Sequence, residues 1–214
     1  MEIKGIIWDW DGTLVDSFLA CFNATKKVLS LFGIDISLEE YRKNFAPNWY
    51  EMYKNFGLKK EYWGMADNLW YKYFDHSCIQ WRDGALENLS FIKNHGIKQG
   101  VVTASTRLDI EKESYYLKPE RFIDCFITWE DSLKKKPDPE SLFKILEILN
   151  LKPEESVYIG DTVGDIMMGK KAKVKLVIAI QSSFNKKEEL IKNSPDFHFE
   201  NLWDLLKFWE KILK

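Results

Sequence analysis

Five short, uninterrupted apolar runs, at 5–8, 100–103, 125–128, 157–159 and 176–180, punctuate a chain whose other apolar positions recur every three or four residues. A short run without polar alternation is the pattern of a strand covered on both faces, as in a parallel sheet. The three-to-four periodicity predicts helices at 86–94, 108–116, 139–149 and 165–172, between those runs. Strand and helix thus alternate, which predicts a doubly wound α/β core.

The alternation fails once. Between the first run and the second lies a long stretch with no strand pattern, which predicts an insertion at 15–81 between core segments 1–14 and 82–214. Helical patterns at 18–32, 38–45, 49–56 and 62–74 fill it, broken by Gly33, Pro47 and Gly57. Aromatic stripes run along two of them: Trp49, Tyr53 and Phe56 share one face, and Trp63, Trp70 and Tyr73 another. Such stripes give a small helical unit its own core, and any ring left over would line a pocket for a substrate.

Composition narrows the class of function. Lys and Arg number 31 against 33 Asp and Glu, so no field of one sign invites nucleic acid or a membrane surface. Cys21, Cys78 and Cys125 are odd in number and widely spaced, which fits buried free thiols better than a disulfide framework or a zinc site. The N-terminal apolar run is too short for a signal peptide or a membrane span, so a cytoplasmic protein is expected. Nothing in the pattern bears on oligomeric state.

Four polar signals fall just after predicted strands, where ligands bind in open α/β sheets. The first is Asp9-Trp10-Asp11-Gly12-Thr13. Two carboxylates one residue apart can serve one site if the chain curls beyond the strand, and Gly12 permits that turn. A carboxylate is a weak nucleophile unless its target is strongly electrophilic, as a phosphoryl group held by a divalent cation is. Asp9 would attack phosphorus while Asp11 protonates the leaving oxygen and then deprotonates water. The second signal is Gly160-Asp161-Thr162-Val163-Gly164-Asp165. Mg²⁺ prefers about six oxygen ligands and keeps several waters, so few carboxylates suffice: Asp161 as a direct ligand, Asp165 as support for a bound water or a lysine. In the third, Lys136 precedes Pro137 and could neutralise this crowd of anions, with Lys134 and Lys135 as competitors for the role. The fourth, Thr103-Ala104-Ser105-Thr106, offers hydroxyl and loop N–H groups to phosphate oxygens.

Taken in order, Asp9-x-Asp11-Gly12-Thr13, Thr103, Lys136-Pro137 and Gly160-Asp161-x-x-x-Asp165 resemble the four signatures of the haloacid dehalogenase superfamily, over nearly the whole chain. The resemblance implies a Rossmann-like core with an inserted α-helical cap, and a phosphoglycolate phosphatase-like phosphohydrolase that works through an aspartyl-phosphate. It assigns Asp9 as nucleophile, Asp11 as acid/base and donor of a backbone carbonyl to Mg²⁺, and Asp161 with Asp165 as the rest of the metal set. Thr103 would bind phosphate and Lys136 would neutralise charge; Asp16-Ser17 resembles the family's cap hinge. Lys135, Lys173 and Ala104 depart from the residues common in relatives, and since Lys173 stands where glycine often closes a helix, that helix end is expected to lack its usual left-handed cap.

Within the family, Asp11 argues against dehalogenation and phosphonate hydrolysis, whereas a sugar-phosphate mutase would keep all four signatures. A non-catalytic binding module on the same fold is the remaining alternative. A helical cap implies a small phosphorylated metabolite as partner, because closure must exclude water. Asn48, Trp49 and Tyr50, after the break at Pro47, are the expected substrate contacts in the insert, and Ala104 and Ser105 join Thr103 in the core.

Overall fold

The computed structural model describes residues 2–46 and 49–213. In chain order, β1 (Gly5–Trp8) leads through β2 (Val15–Asp16) to four helices, α1 (Phe18–Ser30), α2 (Leu38–Asn44), α3 (Trp49–Asn55) and α4 (Trp63–Tyr73). The chain then returns through β3 (Gln80–Trp81) to α5 (Ala85–Asn94), β4 (Lys98–Val102), α6 (Arg107–Leu117), β5 (Cys125–Ile127) and α7 (Glu140–Ile148). It closes with β6 (Ser156–Gly160), α8 (Val163–Ala172), β7 (Leu176–Ile180), α9 (Lys187–Lys192), β8 (Phe197–Phe199) and α10 (Leu202–Ile212).

Two compact units result, one of Met1–Asp16 with Gln80–Lys214 and one of Ser17–Ile79. The first holds a six-stranded sheet in the order β5-β4-β1-β6-β7-β8, in which every pairing is parallel. Strand β1 lies between β4 and β6, and Ile6, Ile7 and Trp8 are wholly buried. Each such side chain contributes about 1.5–3 kcal/mol by leaving water. The polar atom that Trp8 carries inside is satisfied by Gln99, itself buried, whose Oε1 accepts the indole N–H at 3.2 Å. This is the expected α/β, Rossmann-like doubly wound sheet.

The compact helical unit, Ser17–Ile79, is shorter than the expected insertion because Val15 pairs with Trp81 and Asp16 with Gln80 in an antiparallel ribbon that belongs to the sheet unit. Strands of two residues are too short to show a period. Within the helical unit the aromatic stripes are core in part: Tyr53 and Trp70 are buried, Trp70 donating its indole N–H to Thr25 Oγ1 at 3.2 Å, whereas Trp49 is exposed and Phe56, Trp63 and Tyr73 are half-buried.

Three sequence expectations change. The cysteines are not uniformly buried: Cys21 is, Cys125 is half-buried, and Cys78 is exposed in a short turn where its thiol meets Asp75. Helix α8 does end in the left-handed region without glycine, because Lys173 itself adopts φ 56° and ψ 40°, at a cost of roughly 1 kcal/mol. Beyond 180 the sequence pattern gave no element, yet β8 extends the sheet and α10 buries Leu202, Leu205 and Trp209 on one face. Among the described residues no helix is long and apolar enough to cross a membrane.

Candidate active site

Because the strands are parallel, the loops that follow β1, β4, β5 and β6 leave the sheet on one side. The loop after β1 curls at once: the carbonyl of Trp10 accepts the N–H groups of Thr13, Leu14 and Val15. Gly12 takes φ +78°, and a side chain there would overlap Asp161 and Phe184. Between the two aspartates, Trp10 points into the core, edge-on to Trp81 and Phe126, and gives its indole N–H to the buried Glu113 at 2.6 Å. The loop is thus anchored by an apolar ring with one charge-assisted hydrogen bond.

Asp9 is buried, with Oδ1 2.5 Å from Lys136 Nζ and Oδ2 accepting from Thr13 Oγ1 at 2.9 Å. Lys136 Nζ also lies 2.8 Å from Asp165 Oδ1. Of the three consecutive lysines it alone points here, since Lys135 gives its ammonium to the carbonyls of Trp129 and Ser132 and Lys134 lies 3.8 Å from Asp138 on the surface. Asp165 is engaged from every side: besides Lys136 it accepts from Tyr158 OH at 2.8 Å and from the backbone N–H and hydroxyl of Thr162. The last two contacts, with the return bond from Asp165 N–H to Thr162 Oγ1, form a capping box at the start of α8.

Asp9, Asp161 and Asp165 each bring an oxygen within 4.8 Å of the others, all three buried. The carboxylate of Asp11 stands outside that set and accepts the Ser105 hydroxyl at 2.6 Å. Ser105, expected among the substrate contacts, here gives its hydroxyl to a carboxylate. Its N–H is given to Thr103 Oγ1 at 2.9 Å, and Ala104 between them is exposed. In the helical unit Trp49 packs against Trp70 and Tyr50 stacks on Trp63, and both remain 37% and 49% exposed. Asn48 lies outside the described residues.

The electrostatics of the cluster follow from its burial. Burial, opposed by Lys136 and reinforced by Asp165 and Asp11, pushes the Asp9 carboxyl up to about 7. Asp161 is raised well above the carboxylate range by burial and then by Asp9 and Asp165. Asp165 goes the other way, because Lys136, Thr162 and Tyr158 outweigh its burial and keep it ionised. Were all three carboxylates ionised, one ammonium would leave two negative charges uncompensated, and the upward shifts of Asp9 and Asp161 are the response of the metal-free cluster to that crowding and to burial. Asp161 Oδ1, moreover, is buried without a hydrogen-bond partner among the described residues. A hard divalent cation such as Mg²⁺ fits this all-oxygen donor set.

The family model for haloacid dehalogenase-like hydrolases matches residues 6–179, from the first core strand to the last residues of β7. The chain belongs to this family. A Clostridium perfringens relative named "Putative pyrophosphatase PpaX" is 30% identical over 98% of this chain and 99% of its own. "Pyrophosphatase PpaX" of Bacillus mycoides is 26% identical over 99% of both chains. The solved structure of a haloacid dehalogenase-like family hydrolase from Streptococcus pneumoniae superposes with a TM-score of 0.85 at 20% identity, covering 97% of this chain and 98% of that one.

In this haloacid dehalogenase-like hydrolase several site residues carry no local sequence signal. Arg82 donates to the carbonyls of Gly12 and Thr13 and, at 2.7 Å, to that of Gln181, so one half-buried guanidinium ties the Asp9 loop to the loop after β7. Ser182 donates to Asp161 Oδ2. Glu113 is a buried acid in a helix whose apolar pattern is weak. Thr106 and Asp109, which cap α6, do carry a local signal, a Thr-x-x-Asp spacing ahead of the helix, that was not among the sequence expectations.

Proposed function

We propose that this hydrolase is a Mg²⁺-dependent phosphatase of small phosphorylated substrates, acting through an aspartyl-phosphate on Asp9. One observation carries the reading: a buried set of three carboxylates, one lysine and one carboxylate oxygen left open. A bound Mg²⁺, held by Asp9, Asp161 and the backbone carbonyl of Asp11 with Asp165 in support, would polarise the phosphoryl group. An Asp9 oxygen attacks phosphorus as the bond to the leaving oxygen breaks, and Asp11 delivers a proton to that oxygen. Asp11 then takes a proton from water, whose oxygen displaces Asp9 and releases inorganic phosphate. Lys136 holds Asp9 in place and offsets the negative charge that gathers on the transferred group. Thr103, with the loop through Ala104 and Ser105, would receive the phosphate oxygens.

Inorganic pyrophosphate is the first substrate to assay, because relatives named as pyrophosphatases match the chain over nearly its full length. Pyrophosphate should yield two phosphates per turnover, whereas a monoester yields one phosphate and an alcohol. Phosphate that merely moves on the same sugar would identify a mutase instead, and no turnover of any phosphorylated compound at high protein concentration would leave a binding module. A chelator should stop phosphate release and Mg²⁺ restore it. Calcium should substitute poorly, since its larger and more variable coordination shell misplaces the attack geometry. Equal rates with both ions would contradict a tight octahedral site.

In the helical unit, Asn48, Trp49 and Tyr50 are proposed to choose among substrates, since the core groups recognise only the phosphoryl end that all substrates share. Trp49 and Tyr50 keep enough exposed ring for that role. Trp49→Ala should therefore reorder a panel of substrates by several-fold while hydrolysis of a small, undemanding ester is nearly unchanged. Lost thermal stability with an unaltered ranking would assign Trp49 to the packing with Trp70 alone.

A further inference from the structure

The loop that follows β7 lies outside all four sequence signals, yet it reaches the centre of the site. Ser182 Oγ donates to Asp161 Oδ2 and accepts the N–H of Phe184 at 3.0 Å. A hydroxyl has one proton, and with a lone pair occupied by Phe184 that proton is directed at Asp161. The loop itself is stiff: Gln181 Nε2 donates to the carbonyls of Ser182 and Asn185 at 2.9 and 2.7 Å, and the Gln181 carbonyl receives Arg82. The ring of Phe184 closes against Gly12, where a side chain would collide with both Phe184 and Asp161. Asp161 is therefore gripped by one oxygen only. Its Oδ1, buried and without a hydrogen-bond partner among the described residues, is the oxygen left open.

We infer that Ser182 is a positioning residue for the cation site: it fixes the rotation of the Asp161 carboxylate so that Oδ1 alone is presented to a divalent cation. The inference rests on the Mg²⁺ reading above and adds to it a residue that the four signatures leave out. Partners that orient a ligand in this way typically contribute about 10–100-fold to metal affinity.

The test is calorimetric titration of Mn²⁺, as a stand-in for Mg²⁺, into the full-length protein without substrate, alongside thermal denaturation of the metal-free forms. Ser182→Ala should weaken binding about tenfold or more with little change in metal-free stability, while Ser182→Thr, which keeps the hydroxyl, should bind within a few-fold of the wild type. Asp161→Asn, which removes the ligand charge, should lose binding. If Ser182→Ala binds Mn²⁺ like the wild type while Asp161→Asn does not, the role of Ser182 is overturned and the cation site stands. Lower thermal stability in Ser182→Ala with unchanged affinity also overturns it, since that is the mark of a residue that only braces the loop. A wild-type protein that binds no Mn²⁺ overturns the cation reading and this inference together. Should Ser182→Ala not fold, Ser182→Cys, of similar shape but a weak donor, carries the same expectations.

Discussion

Asp9→Asn is expected to abolish phosphate release, with a loss of at least about 10⁴-fold, because the amide cannot form an acyl-phosphate and no other group within reach replaces it. The fold should survive. Burial first, and then the neighbouring carboxylates of Asp165 and Asp11, push the Asp9 carboxyl up to about 7 against the pull of Lys136, so a neutral side chain there removes a desolvation cost and some repulsion. The asparagine oxygen can still accept the Thr13 hydroxyl, and Lys136 retains Asp165. Metal-free thermal stability of the variant should therefore equal or exceed that of the wild type. Activity of the variant near the wild-type rate, measured as phosphate released with Mg²⁺ present, would exclude the covalent mechanism.

Lys136→Ala should follow closely, with a loss on the order of 10²–10⁴-fold. Its ammonium spans Asp9 and Asp165 at 2.5 and 2.8 Å, and both carboxylates, despite the cost of burial, hold it firmly protonated. Without it, Asp9 and Asp165 face each other uncompensated, and the charge gathering on the transferred phosphoryl group loses a preorganised partner. Lys135→Ala is the control, because that side chain only braces the carbonyls of Trp129 and Ser132 and covers the Trp129 ring. It should cost little activity. A larger loss in Lys135→Ala than in Lys136→Ala, measured side by side with initial rates, would assign the charge-neutralising role to the wrong lysine.

Local order was written plainly in the chain. Runs such as Ile6-Ile7-Trp8 and Val157-Tyr158-Ile159 are apolar throughout because both faces of a central parallel strand are covered, so sequence alone determined the sheet class. The curl after β1 was equally legible, since residues within a few positions of one another make it. The three carboxylates were nameable for the same reason: Asp9 and Asp161 directly follow recognisable strands, and Asp165 stands in the first turn of the helix after the second of them. Only the tertiary structure decided how they are held. Trp10 and Glu113 are 103 residues apart, Arg82 and Gln181 99, Ser182 and Asp161 21, and no periodicity relates such partners. The same holds for the Ser105 hydroxyl that turns to Asp11, because adjacent side chains of one loop diverge according to the path of the backbone, whereas Lys136 is already singled out from its two neighbours by the Pro137 that follows it. A motif reports which groups are present near a strand end; which oxygen of Asp161 faces a donor, and which is left open, depends on contacts that exist only once the sheet has brought distant loops together.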